Sequence, residues 1–216
     1  MNCLFRKARQ IYLLFFIVIL GCTKGLEPIP TTTDISMSWS LPVGYSKVSF
    51  EKTLETLDIP LIYFDNVDTL LKYEYFYMRD TLPLNLSEIY DRDYPITLLS
   101  FRVNVWNQFP VGGKTRIAFL DSDNNVIDLL WYDQYFIIGP GNVANNGTVI
   151  DAAYGQTTID FDNQRIDNLR EARNLVIEAG IVFDDPDISV QKVEYFLNYY
   201  LKIQIGVRVD FNIEDI

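Results

Sequence analysis

Residues 199–211, which read YYLKIQIGVRVDF, decide the fold. Every second residue in the stretch is apolar, namely Leu201, Ile203, Ile205, Val207, Val209 and Phe211. A period of two is typical of a strand with one buried and one wet face in an antiparallel sheet. Burying six such side chains would contribute roughly 9–18 kcal/mol before conformational entropy is counted, which predicts a central strand. Gly206, between the polar residues, predicts a bulge or a close approach of another backbone segment.

Weaker β patterns surround this strand. Residues 99–105 alternate in the same way, and residues 115–120 and 126–131 flank the turn DSDNN, which predicts a β-hairpin. Short helices are predicted over residues 49–57, with Ser49 as N-cap, and over residues 162–174. A turn is predicted at Pro42 and Gly44. About nine strands with one or two short helices predict a mostly β chain, an antiparallel β-sandwich of the immunoglobulin-like kind.

The sequence divides into four parts. Residues 1–21 predict a signal peptide, because basic residues precede the apolar run IYLLFFIVIL, which is too short to cross a bilayer. Residues 22–34 predict an extended tether, since glycine, prolines and threonines dominate them. Residues 35–96 predict an N-terminal module of strands and a helix, and residues 97–216 predict the β-sandwich domain. Whether residues 35–96 form a separate domain is left open.

The apolar run ends in Ile19-Leu20-Gly21-Cys22, which resembles the lipobox of bacterial lipoproteins. The resemblance implies a diacylglyceryl group on Cys22, cleavage just before it, and contact with the membrane through this lipid. Several acyl chains on one terminus would hold firmly, since each buried CH₂ contributes about 0.8 kcal/mol. Thr23 follows the cysteine, which favours the outer membrane of the cell envelope by analogy with enteric bacteria. The leaflet stays open.

Residues 97–131 and 199–213, together with a W-x-L-P opening at residues 39–42, resemble uncharacterised envelope lipoproteins of the Bacteroidota. Those proteins pair an N-terminal module with an immunoglobulin-like sandwich, so the resemblance implies fold and compartment and no functional residue. The central stretch is also similar to sandwich domains of the late-embryogenesis-abundant type. Asp-Thr-Leu occurs at residues 68–70 and 80–82 and resembles the O-glycosylation sequon of these bacteria, which implies sugar on Thr69 and Thr81.

The composition excludes several kinds of chemistry. The chain has no histidine, which removes Ser-His-Asp and Cys-His catalysis and histidine metal sites. Its two cysteines, Cys3 and Cys22, fall in the leader and at the lipidation position, so the mature chain can form no disulfide. With 29 acidic and 18 basic residues the net charge is −11, and such a surface repels nucleic acid. We interpret the acidity as a self-repelling, soluble surface rather than a cation store.

One turn could bind calcium, the only cofactor that the sequence suggests. Four oxygen-bearing residues resemble the start of a calcium loop: Asp121, Asp123, Asn125 and Asp128. Calcium takes clustered oxygen ligands, but an EF-hand requires Gly at its sixth position and Glu at its twelfth, where this chain has Val126 and Tyr132. The alternative is a hairpin turn in which Asp and Asn satisfy backbone donors.

Aromatic side chains predict a possible binding platform. Tyr73, Tyr75 and Tyr77 share one strand face, and with Trp106 and Trp131 they could hold a glycan or a peptide. The alternative is a half-buried strand face packed on the core.

Acid pairs give a weaker, catalytic hypothesis. Asp91 with Asp93, or Asp160 with Asp162, could be glycosidase carboxylates, which must stand about 5–10 Å apart across a sugar. Sequence does not give that separation.

These observations predict a non-catalytic envelope lipoprotein that serves as an accessory or interaction subunit of a membrane protein complex. The alternative is a surface module that binds a glycan or peptide, and the third hypothesis is a carboxylate-dependent glycosidase. Exposed Trp106 and Trp131 along a groove would favour the second hypothesis, and a buried acid pair in a deep cleft would favour the third.

Overall fold

The computed structural model describes residues 35–61, 64, 66–70, 75–84, 86–90, 95–132, 135–182, 190 and 192–213. The predicted signal peptide, the tether and Cys22 lie outside the described residues. The strands are β1 Ile35–Ser49, β2 Tyr75–Pro83, β3 Ile96–Asn107, β4 Gly112–Leu120, β5 Val126–Leu129, β6 Phe136–Ile138, β7 Asn142–Val143, β8 Val149–Asp151, β9 Ala153–Phe161, β10 Asn174–Val182 and β11 Tyr200–Ile213. The helices are α1 Phe50–Leu57, α2 Val67–Leu70, α3 Ser87–Tyr90 and α4 Asn163–Asn168, with 3₁₀ turns at Leu169–Glu171 and Val193–Asn198.

The strands form two principal antiparallel sheets. Sheet A has four strands in the order β1-β11-β3-β9. Sheet B has five, in the order β2-β10-β4-β5, with β6 also paired to β4, and β7 and β8 form a separate two-stranded ribbon. The prediction of a mostly β, antiparallel sandwich with short helices is therefore confirmed. No helix in the described part of the chain is long and apolar enough to span a bilayer.

The strand order is that of a jelly roll. Along the chain β1, β3, β9 and β11 belong to sheet A, while β2, β4, β5 and β10 belong to sheet B, so the chain crosses between sheets at nearly every connection. In immunoglobulin sandwiches several consecutive strands are neighbours within one sheet. The expected immunoglobulin-like order is thus not the one found, because periodicity reveals strands and their buried faces but not which strands pair.

The strands of residues 35–96 contribute to both sheets. Strand β1 lies beside β11 in sheet A and β2 lies beside β10 in sheet B, and Ser36–Ile213 form one unit. The predicted turn at Pro42 and Gly44 is wrong, since β1 continues through both residues to Ser49. The order of sheet A places β1 at its edge. Proline is tolerated there because the N–H group that it lacks is not needed for hydrogen bonds between central strands.

The core lies between the inner faces of the two sheets. The alternation of β11 is confirmed, because its odd-numbered residues from Leu201 to Phe211 are all at most 4% exposed. Phe101 of β3 meets Phe119 of β4 with ring centroids 5.0 Å apart, so an aromatic contact joins sheet A to sheet B. Aromatic pairs of this kind add to the stabilisation that burial provides.

The helices follow local signals. Ser49 caps α1 as predicted, its hydroxyl accepting a hydrogen bond from the Lys52 N–H at 3.3 Å. Phe50 and Leu54 are buried, but Leu57 is exposed because the helix ends there and Asp58 turns the chain with φ of 54°. The second predicted helix is shorter than expected, since α4 ends at Asn168 and strand β10 begins at Asn174.

Candidate functional site

The outer face of sheet A is the candidate site. Strands β11, β3 and β9 lie side by side, and their pairing aligns the outward residues in rows across the sheet. From one end to the other the rows are Lys202, Trp106 and Tyr154; then Gln204, Asn104 and Gln156; then Gly206, Arg102 and Thr158; then Arg208, Ser100 and Asp160. We call these residues the polar face. They are the outward-facing residues of these strands, and the residues that alternate with them face the core.

A groove of about 550 Å³ runs over part of the polar face, from Gln204 and Asn104 to Arg208, Ser100 and Asp160. Its lining does not include Lys202, Trp106, Tyr154 or Gln156. Its lining includes Arg102, Asn104 and Gln204, and residues 40–42 of β1 contribute to one side. Gly206 contributes no side chain to the lining, which lowers the floor at its centre. The predicted bulge at Gly206 is wrong, because pairing with β3 is unbroken there and shifts only between Asp210 and Phe211. A Cβ at Gly206 would lie 3.5 Å from the Leu41 carbonyl oxygen, an ordinary contact with the neighbouring strand.

Hydrogen bonds hold the side chains of the polar face in place. The Arg102 Nη2 donates to Gln156 Oε1 at 2.6 Å. The Tyr154 hydroxyl lies 2.8 Å from Asn104 Oδ1 and 3.0 Å from Gln156 Oε1. The amide oxygens of Asn104 and Gln156 are therefore occupied, and among the described residues no acceptor binds the amide nitrogens of either residue. Those N–H groups are the donors that the face offers to a ligand.

An aromatic pair stands at one end of the polar face. The rings of Trp106 and Tyr154 have centroids 5.3 Å apart, and the Lys202 ammonium lies 4.9 Å from the Trp106 ring centroid. Tyr154 is 53% exposed, whereas Trp106 is half-buried, so Tyr154 is the more accessible ring of the pair. A rigid exposed ring beside fixed hydrogen-bond donors is suited to an apolar sugar face or a planar group.

The aromatic platform differs from the predicted one. Tyr73 and the side chain of Tyr75 lie outside the described residues, and Tyr77 lies against Tyr135 with centroids 6.3 Å apart. Trp131 stacks on Phe136 at 5.9 Å and packs against the core, so it does not join Trp106. Sequence reasoning missed Tyr154, although the alternation of β9 would have placed Tyr154 and Gln156 on one outward face.

The charged side chains at the opposite end of the polar face have partners. Arg208 Nη2 lies 2.8 Å from Asp210 Oδ2, and its Nε donates to Ser38 Oγ at 3.1 Å. The hydrogen bond from Arg208, followed by that from Ser38, holds the pKa of Asp210 below its ordinary value. Ser100 donates to Asp160 Oδ1 at 2.5 Å.

The predicted calcium residues are divided between two structures. Asp121 Oδ1 accepts from the backbone N–H groups of Asp123 and Asn125, each at 2.8 Å, and the Asn125 amide donates to Oδ2. The hydrogen bonds from Asn125, side chain first, hold the pKa of Asp121 below its usual value. These contacts are those of the hairpin turn that was the alternative to calcium binding, in which Asp and Asn side chains bind backbone N–H groups. Within the described residues, no three acidic or thiol side chains are grouped to hold a metal ion.

Asp128 does not join this turn. It is 5% exposed, and its carboxylate is bound by Arg165, with Nε 3.0 Å from Oδ2 and Nη2 3.1 Å from Oδ1. A carboxylate that neutralises a buried guanidinium is poorly available to a cation. Calcium at the remaining turn residues stays a prediction, which calorimetric titration with calcium would test.

The acid pair proposed for a glycosidase serves structural roles. Asp160 accepts from Ser100, and Asp162 caps helix α4 by accepting from the Arg165 N–H at 2.9 Å. Asp91 and Asp93 lie outside the described residues.

The structure describes the surroundings of one of the two predicted glycosylation sites. Thr81 lies on β2 opposite Val176 and is exposed. Thr69 lies in helix α2, but its side chain is outside the description. Glycosylation of both residues, and lipidation of Cys22, stay predictions.

Comparisons with known proteins show no family. No protein-family model matches the chain, and no curated protein matches it. Among solved structures, a Parabacteroides distasonis protein described as secreted is similar over 62% of this chain and 37% of its own, at 9% identity and a TM-score of 0.39. The VP2 subviral particle of infectious bursal disease virus is similar over 88% and 45%, at 8% identity and 0.35. This chain therefore spans less than half of either protein.

A third solved structure, desmodium yellow mottle tymovirus, is similar over 90% of this chain and 97% of its own, at 10% identity and a TM-score of 0.32.

Proposed function

We propose that this protein is a non-catalytic binding module that holds an extended glycan in the groove of the polar face. The observation that carries the proposal is the pair of Gln204 and Asn104 in the lining of the groove. Gln156 and the exposed ring of Tyr154 continue the polar face beside them, on strand β9. Sugars present hydroxyl groups around an apolar ring face. Amide side chains can donate to and accept from those hydroxyls, and an aromatic ring can cover the apolar face.

The rigidity of the polar face favours binding. Its side chains project from three paired strands, and Arg102, Gln156, Tyr154 and Asn104 are already joined by hydrogen bonds. Groups fixed before the ligand arrives lose little entropy on binding. The same arrangement offers little to catalysis, since Asp160, the acid of the polar face, is held by Ser100.

The proposal can be tested by placing a side chain at Gly206, which lines the groove. In full-length protein kept in detergent, Gly206→Leu should place a side chain in the groove and weaken glycan binding at least tenfold on a glycan array. Gly139→Leu is the matched control, because no atom lies within 4 Å of a Cβ at Gly139. Both variants should keep the parent melting temperature within a few degrees. A folded Gly206→Leu protein that binds as well as the parent, or a parent that retains no glycan on the array, would overturn the proposal.

We also propose that Cys22 carries lipid and anchors the domain in the cell envelope, in the outer membrane. The support is the basic start, the short apolar run and the Leu-Gly-Cys ending. Intact mass of protein purified from membranes should exceed the polypeptide from Cys22 onward by the mass of the acyl groups. The Cys22→Ala variant should lack that increment, and an unmodified mass for the parent would reject the anchor.

The accessory role on a membrane protein complex stays a prediction. Recovery of one stoichiometric partner from gently solubilised native membranes would support it, with Cys22→Ala as the control. Such a partner would not conflict with glycan binding at the polar face.

A further inference from the structure

We infer that the glycan held by the polar face is acidic and carries carboxylates, as in a chain of uronic acid units. The inference rests on the proposed function and adds the chemical class of the ligand. It comes from two cations, Arg102 and Lys202, and from where the carboxylates of the polar face lie.

Arg102 and Lys202 lack acidic partners. Arg102 is exposed and donates to the neutral Gln156 oxygen, and the Lys202 ammonium lies over the Trp106 ring. Across the described ranges, no carboxylate lies within ion-pair distance of either residue. By contrast Arg208 is paired with Asp210, so the sheet does pair its cations where acids are near.

Charge is divided along the polar face. The three rows from Lys202 to Thr158 contain two cations and no acid, whereas Asp160 stands in the fourth row and Asp210 lies beyond it. The whole chain carries 29 acidic and 18 basic residues. Arg102 lines the groove, and Lys202 lies on the same face beyond the lining. Two cations without acidic partners on one face of an acidic protein form a local positive region, which attracts an anion.

The spacing of the two cations indicates an extended ligand. Lys202 pairs with Trp106, and Arg102 lies four residues from Trp106 on the same strand, so their backbones are about 14 Å apart. The amide row lies between them. Two carboxylates on one chain can each engage one of the cations, with intervening hydroxyl groups against the amides. The free N–H groups of the Arg102 guanidinium suit a carboxylate, which a planar fork can bind through two hydrogen bonds.

The test compares acidic glycans with their own neutral esters. Full-length protein in detergent is titrated at low salt with oligogalacturonate, oligomannuronate and oligoglucuronate, and with each oligomer after methyl esterification. At least one acid should bind tenfold or more tighter than its ester, and the difference should shrink as salt is added. Arg102→Gln and Lys202→Gln should each weaken binding of the acid at least fivefold. Arg79→Gln, which changes an exposed arginine on β2 of sheet B, should leave binding unchanged.

The outcomes separate this inference from the proposed function. Equal binding of acid and ester overturns the inference and leaves glycan binding intact. The same holds if no uronate binds while a neutral glycan is retained on the array. If neither acidic nor neutral glycans bind, both fail. Loss of binding with Arg79→Gln equal to that with Arg102→Gln would also overturn the inference, since the polar face would not be the site.

Discussion

Arg165 binds Asp128 through two hydrogen bonds, 3.0 Å from Nε to Oδ2 and 3.1 Å from Nη2 to Oδ1. The Arg165 Nη2 also donates to the Leu129 carbonyl oxygen at 2.6 Å, and the guanidinium carbon lies 3.6 Å from the Phe161 ring centroid. Arg165 belongs to helix α4, which follows β9 of sheet A, and Asp128 belongs to β5 of sheet B. The pair therefore links the two sheets of the sandwich.

Removal of Asp128 should destabilise the protein strongly. The side chains of Arg165 and Asp128 are 9% and 2% exposed, so Asp128→Ala leaves a buried guanidinium without its counter-charge. We expect a loss of about 3–5 kcal/mol in the free energy of unfolding, measured by urea denaturation. Asp123→Ala, in the exposed turn nearby, should change stability by no more than about 0.5 kcal/mol. A loss below about 1 kcal/mol for Asp128→Ala would show that the pair is not a structural link.

Gly147 should not tolerate a side chain. Its φ is +83°, and a Cβ would lie 2.4 Å from Cγ of Tyr195. Gly147→Ala would add backbone strain to the displacement of the Tyr195 ring, so we expect a loss of about 2 kcal/mol or more by thermal or urea unfolding. Gly139→Ala is the control, because that position is open. Equal stability of the two variants would contradict this account of the turn.

Stability should fall in strongly alkaline solution. Burial raises the pKa of Tyr199 from 10.0 to about 12, and its hydroxyl donates to the Gly147 carbonyl oxygen at 2.9 Å. Burial likewise raises the pKa of Tyr90 to about 12. The unfolded chain releases these protons near pH 10. The folded chain then binds more protons, and stability decreases as pH rises from 10 towards 12.

The alkaline effect can be assigned to one residue. Tyr199→Phe removes the hydroxyl, so urea unfolding of this variant should lose stability less steeply above pH 10 than unfolding of the parent. Its stability near neutral pH should be about 1 kcal/mol lower, because the Gly147 carbonyl loses a donor. A pH dependence as steep as that of the parent would mean that Tyr199 does not titrate as described.

Asp162 should act as a helix cap. Its carboxylate accepts from the Arg165 N–H at 2.9 Å at the start of α4. Asp162→Ala should cost about 1 kcal/mol in urea unfolding, while Asp162→Ser should retain most of the stability because serine also caps. If serine is no better than alanine, the charge of Asp162 matters more than its hydrogen bond.

Local features of the fold could be predicted because their signals are local in the sequence. The alternation of residues 199–211 specifies a strand with one buried face, and the hairpin between β4 and β5 follows from a polar turn between two apolar runs. The Ser49 cap depends on a hydroxyl only three residues from its partner. By contrast, the Pro42 turn was mispredicted because a proline breaks a central strand but is accepted in β1, whose position in the sheet is a tertiary property.

The sequence by itself therefore determined that this chain is mostly β, which face of its central strand is buried, and that it has no histidine for catalysis or metal binding. Only the tertiary structure decided the jelly-roll order, the pairing of Arg165 with Asp128, and the assembly of the polar face. Strands β3, β9 and β11 are far apart in the sequence, and their alternation specifies which face each residue takes but not which residues stand opposite one another. A shift of two residues would keep every face and separate Asn104 from Gln156 and Gln204, so the rows of the polar face depend on how the strands pair in the folded sheet.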